Sequence, residues 1–476
     1  GTFWRDEMPL PAEQDQAEEG INVEKEAPAW LVSLVLHLLV LLILALLASP
    51  YGRNMTSIVL DMGSSNDEGD ALESFELAAE TPEIADTNPE DTTFTEIEPV
   101  EIPDQVLAAE SLIEAMPPIE ANITGVAVPI ASMMSGRQGA SKDALLAAYG
   151  GTPVTEDAVQ LGLKWLARQQ EAKGSWSLMG PYSDGAGSEN RLAATAMAML
   201  AFQGNGNTHL SGPYRKNLEK AVKWLVSQQD RTGYMGKNLP RHQKMYAQAQ
   251  ATIALCELYG MTHDSWLREP AQKAINFAVS SQSSLGGWRY EPKQDSDTSV
   301  TGWFVMALSS GRSAELDVNE SAMRAVHGFL DAAQSYDGAG YGYQMNSGPS
   351  KAMTAEGMLC RQYLGWGKQM PQMAICCDSL VSPENIFNID DQDFYYWYYA
   401  TQVLHHYGGS PWREWNERMR VQLPQDQIKL GREEGSWAPQ RSRWGVQAGR
   451  LYTTCMAIYC LEVYYRHMPL YDMEMK

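Results

Sequence analysis

The chain has 476 residues, 44% of them hydrophobic, and 36 Lys and Arg against 59 Asp and Glu give it a formal charge of −23. So acidic a chain lacks the basic face that a phosphate backbone requires, which excludes nucleic acid as a partner. Its six cysteines (Cys256, Cys360, Cys376, Cys377, Cys455, Cys460) fall in apolar, helix-like stretches without a C-x-x-C pair. They read as buried thiols, not as a disulfide framework.

In chain order, residues 1–29 form an acidic tail, and Trp30 to Ala48 is almost wholly apolar. That length is near the minimum for crossing a bilayer as a helix. Leu47-Ala48-Ser49 resembles a signal-peptide cleavage site, but the residues ahead are acidic and too many for an n-region. The expectation is a retained single-pass transmembrane helix over 30–48, with His37 as a tolerated polar residue. Arg5 and Lys25 before the span, and no cation for a long stretch after Arg53, place the N-terminus in the cytoplasm. The large domain is then expected outside the inner membrane, on the periplasmic side.

Residues 49–148 are expected to be a disordered acidic linker. Between Asn54 and Ser135 there are 18 Asp or Glu and no Lys or Arg, with several prolines and few aromatics. Such a stretch buries too little apolar surface to offset its chain entropy. It reads as a solvated spacer reaching ~50 Å by random-coil scaling, with an acidic docking arm as the alternative.

From residue 149 to the end the chain repeats itself. The stretches Gln170-x-x-x-Gly174-x-Trp176, Gln229-x-x-x-Gly233-Tyr234, Gln282-x-x-x-Gly286-Gly287-Trp288 and Gln334-x-x-x-Gly338-x-Gly340-Tyr341 each end a helix-like segment. A period of about 50 residues marks one supersecondary unit used repeatedly. Before each Gln runs a one-faced amphipathic helix, for example Val159, Leu163 and Leu166; after each turn comes a helix apolar on nearly every face. Outer helices are expected near 155–170, 214–229, 268–282, 318–334, 371–381 and 411–428. Inner ones are expected near 189–203, 244–259, 297–310, 351–364, 392–407 and 447–465. The fold class is all-α, an (α/α)6 toroid of six outer/inner pairs. The last turn keeps Gly435-x-Trp437 but has Gly431 where the Gln should stand. In each turn the Gln is expected to bond free backbone groups at its own helix's C-terminus, the Gly to permit the stop, and the aromatic to pack on the neighbouring unit.

This turn resembles the QW repeat of squalene–hopene and oxidosqualene cyclases, present in variant form in protein prenyltransferase β-subunits. Gly286-Gly287-Trp288-Arg-Tyr290 followed by Asp295-Ser296-Asp297-Thr298-Ser299-Val300 resembles the cyclases' GGF/W segment and D-x-D-D-T-A acid motif. The resemblance covers the toroid only. It implies that Asp297 is a general acid protonating an isoprenoid or other lipid, with Asp295 as the first Asp of the motif. Thr298 stands where the family has its last Asp. The second α-domain of triterpene cyclases is replaced here by the anchor and spacer. Protonating an alkene needs a carboxylic acid in a dry cavity and aromatic faces for the cation. Trp303, Tyr395, Trp397 and Tyr398 are the candidates for substrate contact. Asp297 equally suits a helix N-cap. Prenyltransferase-like zinc is not expected, since no Asp-x-Cys pair falls at the right place and His405-His406 sits at a helix C-terminal end; no cofactor or metal is called.

Two other classes stay open. One is a non-catalytic toroid that binds a lipid, envelope protein or glycan. The other is an (α/α)6 carbohydrate-active enzyme, in which Asp297 pairs with Asp390, Asp391 or Asp393. Tyr395 and Trp397 would then be sugar platforms, and Arg191, His242, Lys244 and Arg289 would bind an acidic sugar.

Overall fold

The computed structural model describes residues 134–471. The expected span at 30–48 lies outside the described residues; within them no helix is long and apolar enough to cross a membrane.

Thirteen α-helices account for most of the described residues. Helix α1 (Gly139–Ala148) precedes six pairs. The outer members are α2 (Pro153–Gln169), α4 (Arg215–Ser227), α6 (Ser265–Ser280), α8 (Glu320–Ala333), α10 (Pro371–Leu380) and α12 (Gly409–Asp426). The inner members are α3 (Arg191–Gly204), α5 (Arg241–Thr262), α7 (Thr298–Ser313), α9 (Lys351–Tyr363), α11 (Phe394–Tyr407) and α13 (Gly445–Arg466). Each inner helix packs on the next and α13 packs back on α3, while α12 touches α2 outside them. The ring is therefore closed, and the domain is an (α/α)6 toroid. Hydrophobic periodicity explains the layering: α4 buries only the stripe Leu218, Ala221, Val222 and Leu225, whereas every residue of α11 from Phe394 to His406 is buried.

The turns hold the layers together differently from the expectation. The indole of each turn Trp, not the Gln, serves the outer helix's free carbonyls. Trp176 Nε1 donates to Leu166 O at 2.7 Å, Trp288 Nε1 to Ala278 O at 2.9 Å and Trp437 Nε1 to Leu423 O at 2.9 Å. The Gln reaches forward instead. Gln170 Nε2 bridges Gly174 O and Asn217 O, both at 2.9 Å, and Gln282 Nε2 bridges Gly286 O at 2.7 Å and Ala322 O at 2.9 Å. Asn217 and Ala322 belong to the next outer helix, so the amide staples one unit to its successor. The indole is long enough to lie back over the helix end, which leaves the two-donor amide free for the bridge. On the inner side, the backbone N–H of the turn aromatic donates to a threonine of the following inner helix. The pairs are Trp176–Thr195, Trp288–Thr301, Tyr341–Thr354 and Trp437–Thr454, at 3.0, 3.0, 3.1 and 3.2 Å.

The sixth turn has its glutamine after all. Gln427 Nε2 donates to Gly435 O at 2.9 Å and to Ala158 O at 2.8 Å. A longer loop carries this Gln away from the sequence register at Gly431, and Ala158 lies on α2, so the bond closes the ring. One amide here serves two carbonyls, each costing about 1–3 kcal/mol if left unpaired in a buried site. Gln427→Leu is expected to cost about 3 kcal/mol in urea unfolding, with exposed Gln425→Leu within about 0.5 kcal/mol of wild type.

The ordered body begins at residue 134 at the latest, ahead of the expected boundary at 149. Ser135–Arg137 form a 3₁₀ turn and α1 follows directly. The reason is electrostatic: Arg137 is buried against Glu257 at 2.8 Å, and Lys142 pairs with Glu156 at 2.6 Å.

Candidate functional site

The inner helices direct their N-termini to one end of the ring, where each start must satisfy free N–H groups. Side chains do this at four of them. Asn190 caps α3 through Ala193 N (2.9 Å), Asp297 caps α7 through Val300 N (2.7 Å), Ser350 caps α9 through Met353 N (3.3 Å) and Asp393 caps α11 through Tyr396 N (3.0 Å). Asp297 and Asp393, both candidate acids, are thus first of all helix caps, a role worth about 1 kcal/mol each.

Asp297 is completely buried. Its Oδ2 accepts from Tyr343 OH at 2.7 Å, Tyr343 OH shares a 2.7 Å hydrogen bond with Tyr290 OH, and Arg289 Nε stands 3.5 Å away. Burial pushes its carboxyl up to about 7 against the opposing pull of Val300 N–H, Tyr343 and Arg289. Asp295 is at the surface, ion-paired with Arg289 and bonded by Gln344 Nε2 at 3.0 Å; despite partial burial, these partners and the Ser296 N–H hold it below the usual carboxylate range. Thr298 donates to Gly342 O at 2.6 Å. A carboxylate at that position would face a carbonyl oxygen, so threonine is the residue this local fold accommodates.

A cavity of about 120 Å³ opens at the same end of the ring. Its wall is mostly apolar, with Met197, Tyr246, Trp303, Tyr395, Trp444 and Tyr452 prominent. Ser188, His242 and the carboxamides of Asn190, Gln243, Gln250 and Gln447 supply the polar part, and no Asp, Glu, Lys or Arg lines it. The Oε1 atoms of Gln243 and Gln250 are buried without a hydrogen-bond partner. Behind the wall runs a chain of hydroxyls. Tyr246 OH donates to Ser299 Oγ at 2.8 Å, Ser299 Oγ bonds Tyr395 OH, and Tyr395 OH donates to Glu356 Oε2 at 2.8 Å. Glu356 is fully buried, and burial drives its carboxyl well above the ordinary range. Gly302 makes room for it, since a Cβ there would collide with the Glu356 side chain.

The structure separates the sequence candidates. Trp303 and Tyr395 line the cavity. Tyr398 lies beneath it, its ring stacked on Trp303 at 5.7 Å. Trp397 points elsewhere, packed on Phe387 at 4.3 Å. Asp295, Asp297, Asp390, Asp391 and Asp393 are all absent from the wall; Asp390 is exposed, and Asp391 is exposed and pairs with Lys351 at 2.8 Å. Of the proposed cations, Arg191 pairs with Glu171 at 3.0 Å, Lys244 with Glu291 at 2.7 Å and Arg289 with Asp295, so only His242 contributes to the wall. Tyr246, Ser299, Tyr343 and Glu356 were not singled out by the sequence. The signal for Glu356 is that it is the lone acid of its inner helix, Ala355-Glu356-Gly357. Among the described residues, no group of three or more His, Cys, Asp or Glu side chains is placed to hold a metal ion.

No protein-family model and no curated protein sequence matches the chain. Among solved structures the chain is similar to the GH76A α-1,6-mannanase of Salegentibacter sp. HEL1_6, with TM-score 0.46, 11% identity, and coverage of 65% of this chain and 98% of that one. It is similar to the type II terpene cyclase MstE from Scytonema, with TM-score 0.46, 13% identity, and coverage of 66% and 97%. An α-amylase from Clostridium perfringens gives TM-score 0.47, 9% identity, and coverage of 65% and 98%. Likenesses at this level bear on neither substrate nor reaction.

Proposed function

We propose that the toroid is a binding domain that receives one small apolar group, such as an aromatic ring or a single isoprene unit of a lipid, at the mouth of the ring. The observation that carries the reading is the uncharged aromatic wall of the 120 Å³ cavity, with every candidate acid outside it. Cavities of roughly 150 Å³ hold a benzene ring, so the space suits one ring or one branched five-carbon unit, not a folded long isoprenoid. A general acid has to reach the reacting atom within about 3 Å or through one water, whereas Asp297 spends both oxygens on its cap and on Tyr343. The single-pass anchor over 30–48 and the extracytoplasmic position belong to the same proposal: a tethered receptor near a membrane surface, tested by alkaline extraction and protease protection in intact cells.

The test uses the full chain in detergent, titrated with 3-methyl-2-buten-1-ol and p-cresol and followed by tryptophan fluorescence, since Trp303 and Trp444 line the cavity. Saturable binding is expected that is lost in Ala448→Trp, which fills the mouth, and retained in Asp297→Asn. A second reading, acid catalysis, is favoured by the raised carboxyl of Asp297 alone. Conversion of a polyprenyl substrate by wild type and not by Asp297→Asn would establish it and overturn the binding-only reading.

A further inference from the structure

The opposite end of the ring carries a second site. The six inner helices hold three acids, and two of them meet there with a base: Glu257 on α5, and Glu462 and Arg466 on α13. Arg466 Nη1 bonds Glu462 Oε2 at 2.9 Å, and Arg466 Nη2 lies 3.4 Å from Glu257 Oε2. Gly204 on α3 leaves the space, because a Cβ there would strike both Glu462 and Arg466. The trio has two acids and one base, each no more than 3% exposed; burial pushes the Glu462 carboxyl up to about 8, whereas Glu257, despite its own burial, is held below the usual carboxylate range by Arg137 and Arg466. An unbalanced buried carboxylate is expensive to keep ionised.

A second cation for Glu257 comes from outside the ring, and it sits closer than Arg466 does. Arg137 is 1% exposed; its Nη1 donates to Glu257 Oε2 at 2.8 Å and its Nε to the Arg466 carbonyl at 2.9 Å. The ring closes through α13 and α3 without any part of residues 134–148, so this guanidinium is an inserted ligand and not a wall component. It is also the first cation after Arg53 in the sequence. Next to it remains a void of about 20 Å³ lined by Met134, Ser309, Tyr363, Tyr398 and His467. The buried Oε1 of Glu462 has no hydrogen-bond partner.

We propose that this end of the toroid is a guanidinium-binding socket, filled in cis by Arg137, which an arginine-bearing segment of a partner protein can occupy when residues 134–138 withdraw. The geometry discriminates between cations. The socket offers a carboxylate and a backbone carbonyl to two different nitrogens of one planar fork, with a second guanidinium alongside. Weakly hydrated arginine tolerates that company, and a compact ammonium cannot reach both acceptors. The arm ahead of the ring is therefore joined to it by a side-chain latch as well as by the main chain, and a competing arginine would release the latch.

The experiment is chemical rescue in the full chain held in detergent. Arg137→Ala is expected to lower Tm, and N-acetyl-arginine amide to restore roughly 2–4 °C at about ten times its Kd. N-acetyl-lysine amide should restore nothing, and neither probe should shift wild type. Adding Glu257→Gln to Arg137→Ala should abolish the rescue. If Arg137→Ala does not fold, Arg137→Lys takes its place, keeping the charge but losing the fork; it should be less stable than wild type and rescued by the arginine probe alone. Equal effects of the two probes, no effect of either, or an Arg137→Lys protein as stable as wild type would each overturn the socket.

Discussion

Gly286→Ala is expected to disrupt the ring, at a cost above about 4 kcal/mol, while Gly328→Ala only about forty residues away is expected to stabilise it. Gly286 sits in the third turn with φ +91°, where an L side chain adds roughly 1–2 kcal/mol of backbone strain. A Cβ at 286 would also stand far inside 3.0 Å of the Ala325 carbonyl oxygen. That oxygen belongs to α8, the next outer helix, and cannot yield like a flexible side chain. Moving it would pull Gln282 off Ala322 O in the same helix, so strain, overlap and a broken staple fall on one position. Gly328, within α8, is the opposite case: a Cβ there meets nothing within 4 Å. The gain should be about 0.5–1 kcal/mol, from lower chain entropy in the unfolded state. Urea unfolding of both variants checks the pair; a Gly286→Ala protein with a wild-type midpoint would refute the account of the turn.

The architecture was legible because it rests on periodicity. An outer helix such as α4 shows one apolar stripe and an inner helix such as α11 shows none that is polar, and the Gln–Gly–aromatic turn recurs between them. What periodicity does not encode is which donor meets which carbonyl. Repeat spacing therefore gives the helix-end carbonyl to Gln170 where Trp176 takes it, and passes over Gln427 because a longer loop breaks its register with Gly435. The inclusion of residues 134–148 in the body is hidden differently. A single Arg137 at the end of an acidic, proline-bearing stretch has no local signature, and its partner Glu257 lies 120 residues away. The site was less legible than the fold. Sequence spacing put Asp297 at an inner-helix N-terminus correctly, but a cap and a general acid share that address. The strongest overlooked signal is chemical: Glu257, Glu356 and Glu462 are each the only acid of an inner helix, and all three are buried in polar networks.

Asp297→Asn is expected to gain stability over wild type as pH rises from 4 to 8, with more than half of the gain falling between pH 5 and pH 7. The amide oxygen can still accept from Val300 N–H, so the cap of α7 survives, and the amide group still bonds the Tyr343 hydroxyl. What changes is the proton. In the folded protein burial raises the Asp297 carboxyl from its ordinary 3.8 to about 7. A folded group with a raised pKa binds more protons than the unfolded chain between those two values. Its contribution is therefore fully present below about pH 4, declines as pH rises, and is lost above about 7. Three units correspond to at most about 4 kcal/mol. The pull of Arg289, whose Nε stands 3.5 Å from the carboxylate, is already contained in that value. Glu356, with its own raised carboxyl, and the buried imidazoles of His405 and His406, which burial depresses, are present in both proteins and cancel in the difference. Paired urea curves at pH 5, 6, 7 and 8 measure that difference directly. Parallel pH profiles would mean that Asp297 is already ionised in the fold at pH 5. The carboxyl would then have no proton to offer a substrate at neutral pH, and the last feature favouring acid catalysis over binding would go with it.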